Sequence, residues 1–352
     1  MRALATLRKI AEVRPIEGAD MIVAYRVDGW WVVDKINAYR VNDPVVFCEV
    51  DSWVPHELAP FLSKGKEPRV FEGVRGERLR TVKLKGQLSQ GLLLRPSDLD
   101  EFIPVYYNAS DRHALRVYTD IDDFVEFYEG DDVSEVLGIK KWEPTLPAQL
   151  AGQVEGHFPQ EIPKTDQERV QNIRNFSEYQ GERYEITEKL HGSSCTFYLD
   201  NDDIFHVCSR NWDLKPDENN AYWKAAIKYN AAFEMKRLGL NGYAIQGELC
   251  GEGINGNNYK LGLEFFAFDV YKVGEGYLEA FERHDLIEKL GMKHVPIMST
   301  LHRLTDSADA LLQQADGKST IADCKREGFV YKSHQSDKTF KVVSNAWLLK
   351  YE

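Results

Sequence analysis

Thr187-Glu188-Lys189-Leu190-His191-Gly192-Ser193-Ser194 is the stretch of this 352-residue chain that decides its fold. RYEITEKL enters it and CTFYLD leaves it, both rich in β-branched and aromatic residues. The segment therefore reads as a strand ending on a lysine, a tight Gly-Ser-Ser turn and a second strand. Working outward, IFHVCSR, YAIQGEL, LEFFAFDVY, EGFVYKS and TFKVVS are further strand-like runs. Between them Ala221 to Leu238 reads as one helix, with Ala225, Ala226, Tyr229, Ala232, Phe233 and Met235 on its apolar face. Helices are also expected over Glu279–Leu290 and Ser307–Gln314. From Asp166 onward this predicts an α+β domain of antiparallel strands with a few helices, the chain ending immediately after its last strand.

Ahead of that domain the character differs. MIVAYRV, WWVVDKI, DPVVFCEV, RLRTVKL and QGLLLR are short strand-like runs within the first hundred residues, separated by Gly18, Gly29, Asn42-Asp43-Pro44 and Gly86. Some five short strands without a helix point to a small barrel, OB-like, or to a sandwich of similar size. The chain is accordingly divided into an OB-like domain with an acidic extension (1–140), a proline-containing linker (141–165) and the α+β domain (166–352).

Net charge is −12, which excludes a surface basic throughout. The distribution is uneven. Ser63–Arg95 carries nine Lys/Arg against three Glu, whereas Asp98–Glu135 carries twelve acids against Arg112 and Arg116. A polyanion would meet the first segment and avoid the second. Alternation in Arg78-Leu79-Arg80-Thr81-Val82-Lys83-Leu84-Lys85 would set a cationic row on one strand face. With Arg69 and Arg75, the residues Arg78, Arg80, Lys83 and Lys85 form a candidate nucleic-acid track. Trp30, Trp31 and Trp53 are either core or stacking platforms for bases. No apolar run approaches the roughly 20 residues of a membrane helix, and the N-terminus lacks the apolar core of a secretory signal. Five scattered cysteines with no C-x-x-C pair fit a reducing compartment, cytoplasmic or other intracellular.

Lys189-x-His191-Gly192 resembles the nucleophile motif of nick-sealing RNA ligases, members of the covalent nucleotidyltransferase superfamily that also includes DNA ligases and messenger-RNA capping enzymes. Further motifs follow in family order. Ser209-Arg210-Asn211 resembles the arginine motif, Gly247-Glu248-Leu249 motif III, and Phe265–Tyr271 the aromatic motif, with Phe268-Asp269 as its matching pair. Glu327 to Lys332 resembles motif IV and Phe340-Lys341-Val342-Val343 motif V, while Pro163–Asn172 is similar to the lead-in. Two features depart from the pattern. Motif V has Val343 where a second lysine is common, leaving Lys341 to act alone or with Lys338 or Lys350. The accessory domain precedes the catalytic one, as in a subgroup with an N-terminal OB-fold.

The resemblance implies an ATP-dependent RNA ligase that forms lysyl-AMP on Lys189, with Mg²⁺ or Mn²⁺. Its substrate would be RNA bearing 3′-OH and 5′-phosphate ends at a nick in a duplex, and the enzyme would be a monomer with no membrane partner. It further implies Glu248 and Glu327 as metal ligands, Lys341 at the α-phosphate, Arg210 at the ribose or the incoming 5′-phosphate, and Arg169 at the β- and γ-phosphates. Phe268 would stack on adenine, and Glu188, Leu190, His191, Gly192 and Asp269 would complete the ATP site. Gly192 also has a reading of its own, as a position where a Cβ would collide or a positive φ is required. The chemistry suits these residue types. Attack on phosphorus needs a neutral amine, and only about 0.1% of a free lysine is neutral near pH 7.4. Neighbouring carboxylates would raise the lysine pKa further, so Glu248 and Glu327 make sense chiefly as holders of a cation. The rival activities are DNA ligation and GTP-dependent capping; a rival of another class is a noncatalytic OB-fold nucleic-acid-binding protein.

Overall fold

The computed structural model describes residues 3–101, 105–108, 114–118, 124–143 and 152–351. They divide into two compact units, one of residues 1–144 with 171–174 and 349–352, the other of residues 145–170 and 175–348.

In the first unit the predicted strands form as Ile22–Val27, Trp30–Lys35, Pro44–Cys48 and Leu92–Leu94. Ala5–Lys9, Glu12–Pro15, Ser52–Pro55 and Arg69–Phe71 are additional strands. Trp30 and Trp53 are fully buried and belong to the core; the half-buried Trp31 lies under the guanidinium of Arg14 at 4.3 Å. The acidic extension contributes a three-stranded antiparallel sheet of Val105–Asn108, Ala114–Tyr118 and Phe124–Phe127. Arg112 lies outside the described residues.

RLRTVKL is not one strand. One ends at Arg78, Leu79 is buried and bonds the Ser52 carbonyl (2.8 Å), and pairing resumes only at Val82–Leu84 in a different sheet. The hairpin to Gln87–Ser89 turns through Lys85 and Gly86, both with positive φ (47° and 84°). That is the backbone a two-residue hairpin loop requires. The expected single row of cations therefore breaks into separate pieces.

The second unit carries an eight-stranded and a five-stranded sheet, antiparallel apart from two short parallel pairings. The α+β class expected from the sequence holds. Phe197, Ile245, Phe265 and Met235 anchor the core over the eight-stranded sheet. Tyr331 stacks on Phe340 at 4.7 Å in the five-stranded one. Val154–His157, placed in the expected linker, instead pairs with Trp212–Leu214, while Phe158 and Ile162 are buried. Pro159 and Pro163 interrupt periodicity without preventing docking. Ala221–Leu238 is two helices, Ala221–Lys228 and Ala231–Arg237, broken at Asn230 (φ 48°). The break rotates the second helix, burying Ala231 and Met235 and leaving Phe233 57% exposed. The other two helices form at Ala280–Lys289 and Ala308–Ala315. A helix missed in the sequence, Asn345–Tyr351, follows the last strand.

Candidate active site

Lys189 ends the strand Arg183–Lys189, with Gly328 of the strand Gly328–Ser333 directly opposite it. That register brings Glu327 alongside the lysine, and Nζ donates to Glu327 Oε1 at 2.7 Å. The next strand, Ser193–Leu199, pairs with Tyr243–Cys250 so that Ser194 faces Glu248. Glu248 Oε1 reaches back to accept the Gly192 N–H at 2.8 Å. Gly192 is explained by close approach and not by φ: a Cβ there would lie 2.2 Å from the Leu249 carbonyl oxygen. The obstacle is the neighbouring strand.

These elements enclose a cleft of about 250 Å³. Lys189, Glu188, Leu190, Gly192, Arg210, Glu248, Phe268 and Lys341 all line it. Phe268 gets there by a bulge. Gln246 pairs with Asp269 and Gly247 with Ala267, so Phe268 has no residue opposite and leaves the ladder, while Phe265 and Phe266 stay buried. Bulges commonly re-aim a side chain in this way.

Four residues of the expected set do not line the cleft. Glu327 sits behind the lining and reaches it through Lys189. Asp269 is buried and accepts from Lys332 Nζ at 2.6 Å. His191 packs edge-on against Trp347 at 4.8 Å, its N–H donating to the Tyr259 hydroxyl. Arg169 is buried on a short strand opposite Lys341.

Two charged cleft residues, Lys332 and Asp166, are given no role by the sequence reading. Lys332 lines the cleft and also donates to the Phe268 carbonyl at 2.8 Å. Lys332 and Lys341 are diagonal neighbours on adjacent strands, since Val330 faces Lys341 and Lys332 faces Thr339. Lys338 is instead engaged by Glu182 (2.5 Å) and the Glu178 carbonyl, and neither it nor Lys350 lines the cleft. The second cation beside Lys341 thus comes from the Glu327–Lys332 segment, where alternation from Glu327 could have signalled nothing about which face Lys332 takes. Asp166, quoted only as lead-in, accepts from Lys341 (2.9 Å) and from Arg210 (3.4 Å).

Electrostatics follow from this crowding. Burial pulls the Lys189 ammonium pKa down, but the Glu327 carboxylate and then Glu248 more than offset it, leaving the amine above its ordinary value. Burial pushes Glu248 up to about 7, opposed by Lys189 and reinforced by Glu327. Burial also lowers Lys332, against the pull of Asp269, and lowers His191. Glu327 Oε2 is buried with no hydrogen-bond partner among the described residues. An orphaned carboxylate oxygen beside a second carboxylate that is reluctant to ionise is what a missing divalent cation would satisfy.

The cationic residues proposed for the N-terminal track are distributed differently. Arg69 pairs with Glu77 (2.5 Å), Arg75 with Glu67 (2.8 Å) and Arg78 with Asp51 (2.5 Å). Arg78 also lies 4.0 Å from the Trp142 ring. Arg80, Lys83 and Lys85 are exposed.

A family model described as RNA ligase matches residues 182–343, and one described as an OB-fold domain matches residues 4–96. No curated protein matches. Among solved structures, Naegleria gruberi RNA ligase with PPi is 41% identical, with 100% of this chain and 99% of that chain covered and a TM-score of 0.85. A lysine-to-alanine variant of the same enzyme with ATP and Mn is 41% identical over 99% of this chain and 98% of that one, with a TM-score of 0.84. A glutamate-to-alanine variant with AMP and Mn gives 41%, 99% of each chain and 0.85. At that identity over nearly the whole length, with the lysine strand, its carboxylates and the cationic cleft in place, this chain belongs to the RNA ligase family.

Proposed function

We propose that this ATP-dependent RNA ligase joins a 3′-OH to a 5′-phosphate at a nick in a duplex, working as a monomer in a reducing intracellular compartment. Three transfers account for the product. Lys189 Nζ, once deprotonated, bonds to the α-phosphorus of ATP and pyrophosphate leaves. A 5′-phosphate oxygen of the RNA then takes the AMP, breaking the P–N bond and returning the amine. Finally the 3′-oxygen bonds to the 5′-phosphorus, its proton is lost and AMP leaves.

The observation that carries the reading is the convergence of Lys189, Arg210, Lys332 and Lys341 on one cleft from four separate segments. A triphosphate is polyanionic, and fixed cations stabilise charge that builds on phosphoryl oxygens without reorganising. Asp166 holds Lys341 and Arg210 through its two oxygens, fixing their spacing before a nucleotide arrives. Lys332, tethered by Asp269 and the Phe268 carbonyl, couples the phosphate end of the cleft to the ring proposed to stack on adenine. Glu327 positions the nucleophile by direct contact, and Glu248 fixes the Gly192 turn behind it. A divalent cation held by Glu248 and Glu327 would supply charge neutralisation at the phosphate and favour the neutral amine. Leu190, in the apolar cluster with Tyr259 and Val295, supplies a dry wall.

Incubation with α-labelled ATP and Mg²⁺ or Mn²⁺ should label the protein through a phosphoramidate, labile to acid and stable to alkali, that maps to Lys189 and is absent in Lys189→Ala. Sealing assays on matched RNA, DNA and mixed nicks then test the polynucleotide assignment. Label on any other residue overturns the nucleophile. Equal sealing of single-stranded ends overturns the duplex nick.

A further inference from the structure

Glu188 is 1% exposed, yet it lines the cleft beside Leu190, Phe268 and Val295. Its two oxygens are treated very differently. Oε2 accepts twice from one residue, Thr320, whose N–H lies at 2.9 Å and whose hydroxyl lies at 2.5 Å. Oε1 is buried and has no partner among the described residues.

Thr320 sits on a loop that is itself held in place. Arg326, buried, donates to the carbonyls of Gln314 (3.2 Å), Ala315 (3.3 Å) and Lys318 (3.3 Å), and its guanidinium lies 4.0 Å from the Phe329 ring. The Ser319 N–H bonds the Cys324 carbonyl and the Arg326 N–H the Gly317 carbonyl, closing the loop on itself. Ile321, Ala322 and Cys324 pack against the cluster that contains Leu190, Tyr259 and Phe266. These bonds tie the loop down, and through Thr320 it fastens to the Glu188 carboxylate.

We propose that Thr320 is a specificity-determining positioning residue: it saturates one oxygen of Glu188 and locks the other as a lone acceptor facing the purine, so that the cleft selects a 6-amino over a 6-oxo base. The inference rests on the reading that this cleft takes ATP. A 6-aminopurine offers an N–H to Oε1. A 6-oxopurine places a carbonyl there, acceptor against acceptor, and moves its donor to N1. The torsion that rotates a free carboxylate is soft, so an untethered Glu188 could swing to the N1–H and accept the wrong base. Two bonds from Thr320 remove that freedom. Sites built to hydrogen-bond a substrate group reject analogues lacking it strongly, because a buried polar atom is left unpaired.

The test compares ATP with inosine triphosphate, which carries the 6-oxo group without the 2-amino group of GTP, as donors for labelling Lys189 in the full-length protein. Wild type should prefer ATP. Thr320→Val removes the hydroxyl donor but keeps shape and the N–H, and should reduce the ATP-to-ITP ratio of kcat/KM by about tenfold. Thr320→Ser should restore the ratio to within about twofold of wild type. An unchanged ratio in Thr320→Val, or equal loss with both nucleotides, would overturn the assignment, since a merely structural loop affects both alike. So would a wild-type protein that labels equally with either. No labelling of wild type by any nucleotide would overturn the ATP reading itself.

Discussion

The nucleophile candidate Lys189 and the carboxylate of Glu327 are in contact, Nζ to Oε1 at 2.7 Å, the lysine lining the cleft and the carboxylate behind it. This contact orients the amine and also works against it. Burial would favour the neutral form, but Glu327 and Glu248 together hold the proton on.

The consequence is a pH dependence of known sign. Below its pKa the neutral fraction of Lys189 rises about tenfold per pH unit, and here the pKa is raised. In metal-free protein, acylation of Lys189 by an amine-reactive ester should climb through pH 10 without levelling off. Glu327→Gln deletes the main opposing charge, lets burial dominate, and should move the profile down by roughly one pH unit or more. Mass-spectrometric quantification of the Lys189 peptide across pH reads this directly, and an unmoved profile would show that Glu327 does not control the amine.

Lys332→Ala should lower the rate of Lys189 adenylylation by roughly 10²-fold, the scale on which loss of one preorganised charge contact acts. Asp269→Asn, which keeps the shape but weakens the tether, should have the smaller effect and mainly raise KM for ATP. Comparable kinetics of Lys332→Ala and Lys338→Ala would contradict the placement of the second cation in the cleft.

Gly192→Ala drives a methyl to 2.2 Å from the Leu249 carbonyl oxygen. Overpacking of this kind costs about 1–3 kcal/mol, so thermal unfolding should shift down by several degrees, roughly 2–4 °C per kcal/mol in a unit of this size. Gly262→Ala, where a Cβ meets nothing within 4 Å and φ is not positive, is the matched control. Equal melting temperatures of the two variants would mean the turn at Gly192 can relax.

In the N-terminal unit, Lys83→Ala with Lys85→Ala removes two exposed cations that form no ion pair among the described residues. If these contact RNA phosphates, affinity falls and the slope of log K against log salt flattens by about 1.4–1.8. Arg78→Ala instead strips a partner from Asp51 and from Trp142, so its main effect should be on melting temperature. Unchanged RNA binding by the double variant across a salt series would assign the RNA contacts elsewhere.

Local chemistry settled much of this molecule. The strand ending at Lys189, the turn at Gly192, the helices at Ala280–Lys289 and Ala308–Ala315 and the small-strand character of the first hundred residues are all encoded within short windows, where side-chain period and turn residues suffice. So was the membership of Lys189, Glu248, Arg210 and Lys341 in one cleft, because the motifs that carry them stand in a fixed order along the chain. Which further residues join them was decided by pairing between distant strands. Strand register sets Lys332 diagonal to Lys341, a bulge throws Phe268 into the cleft while Asp269 stays behind it, and a loop more than a hundred residues downstream brings Thr320 onto Glu188. The cationic row from Arg78 to Lys85 failed for the same reason. Alternation specifies a face only while the strand lasts, and burial of Leu79 together with the positive φ at Lys85 and Gly86 ends it. A period of two residues carries no information about where a ladder stops, which depends on partners that only the tertiary structure supplies.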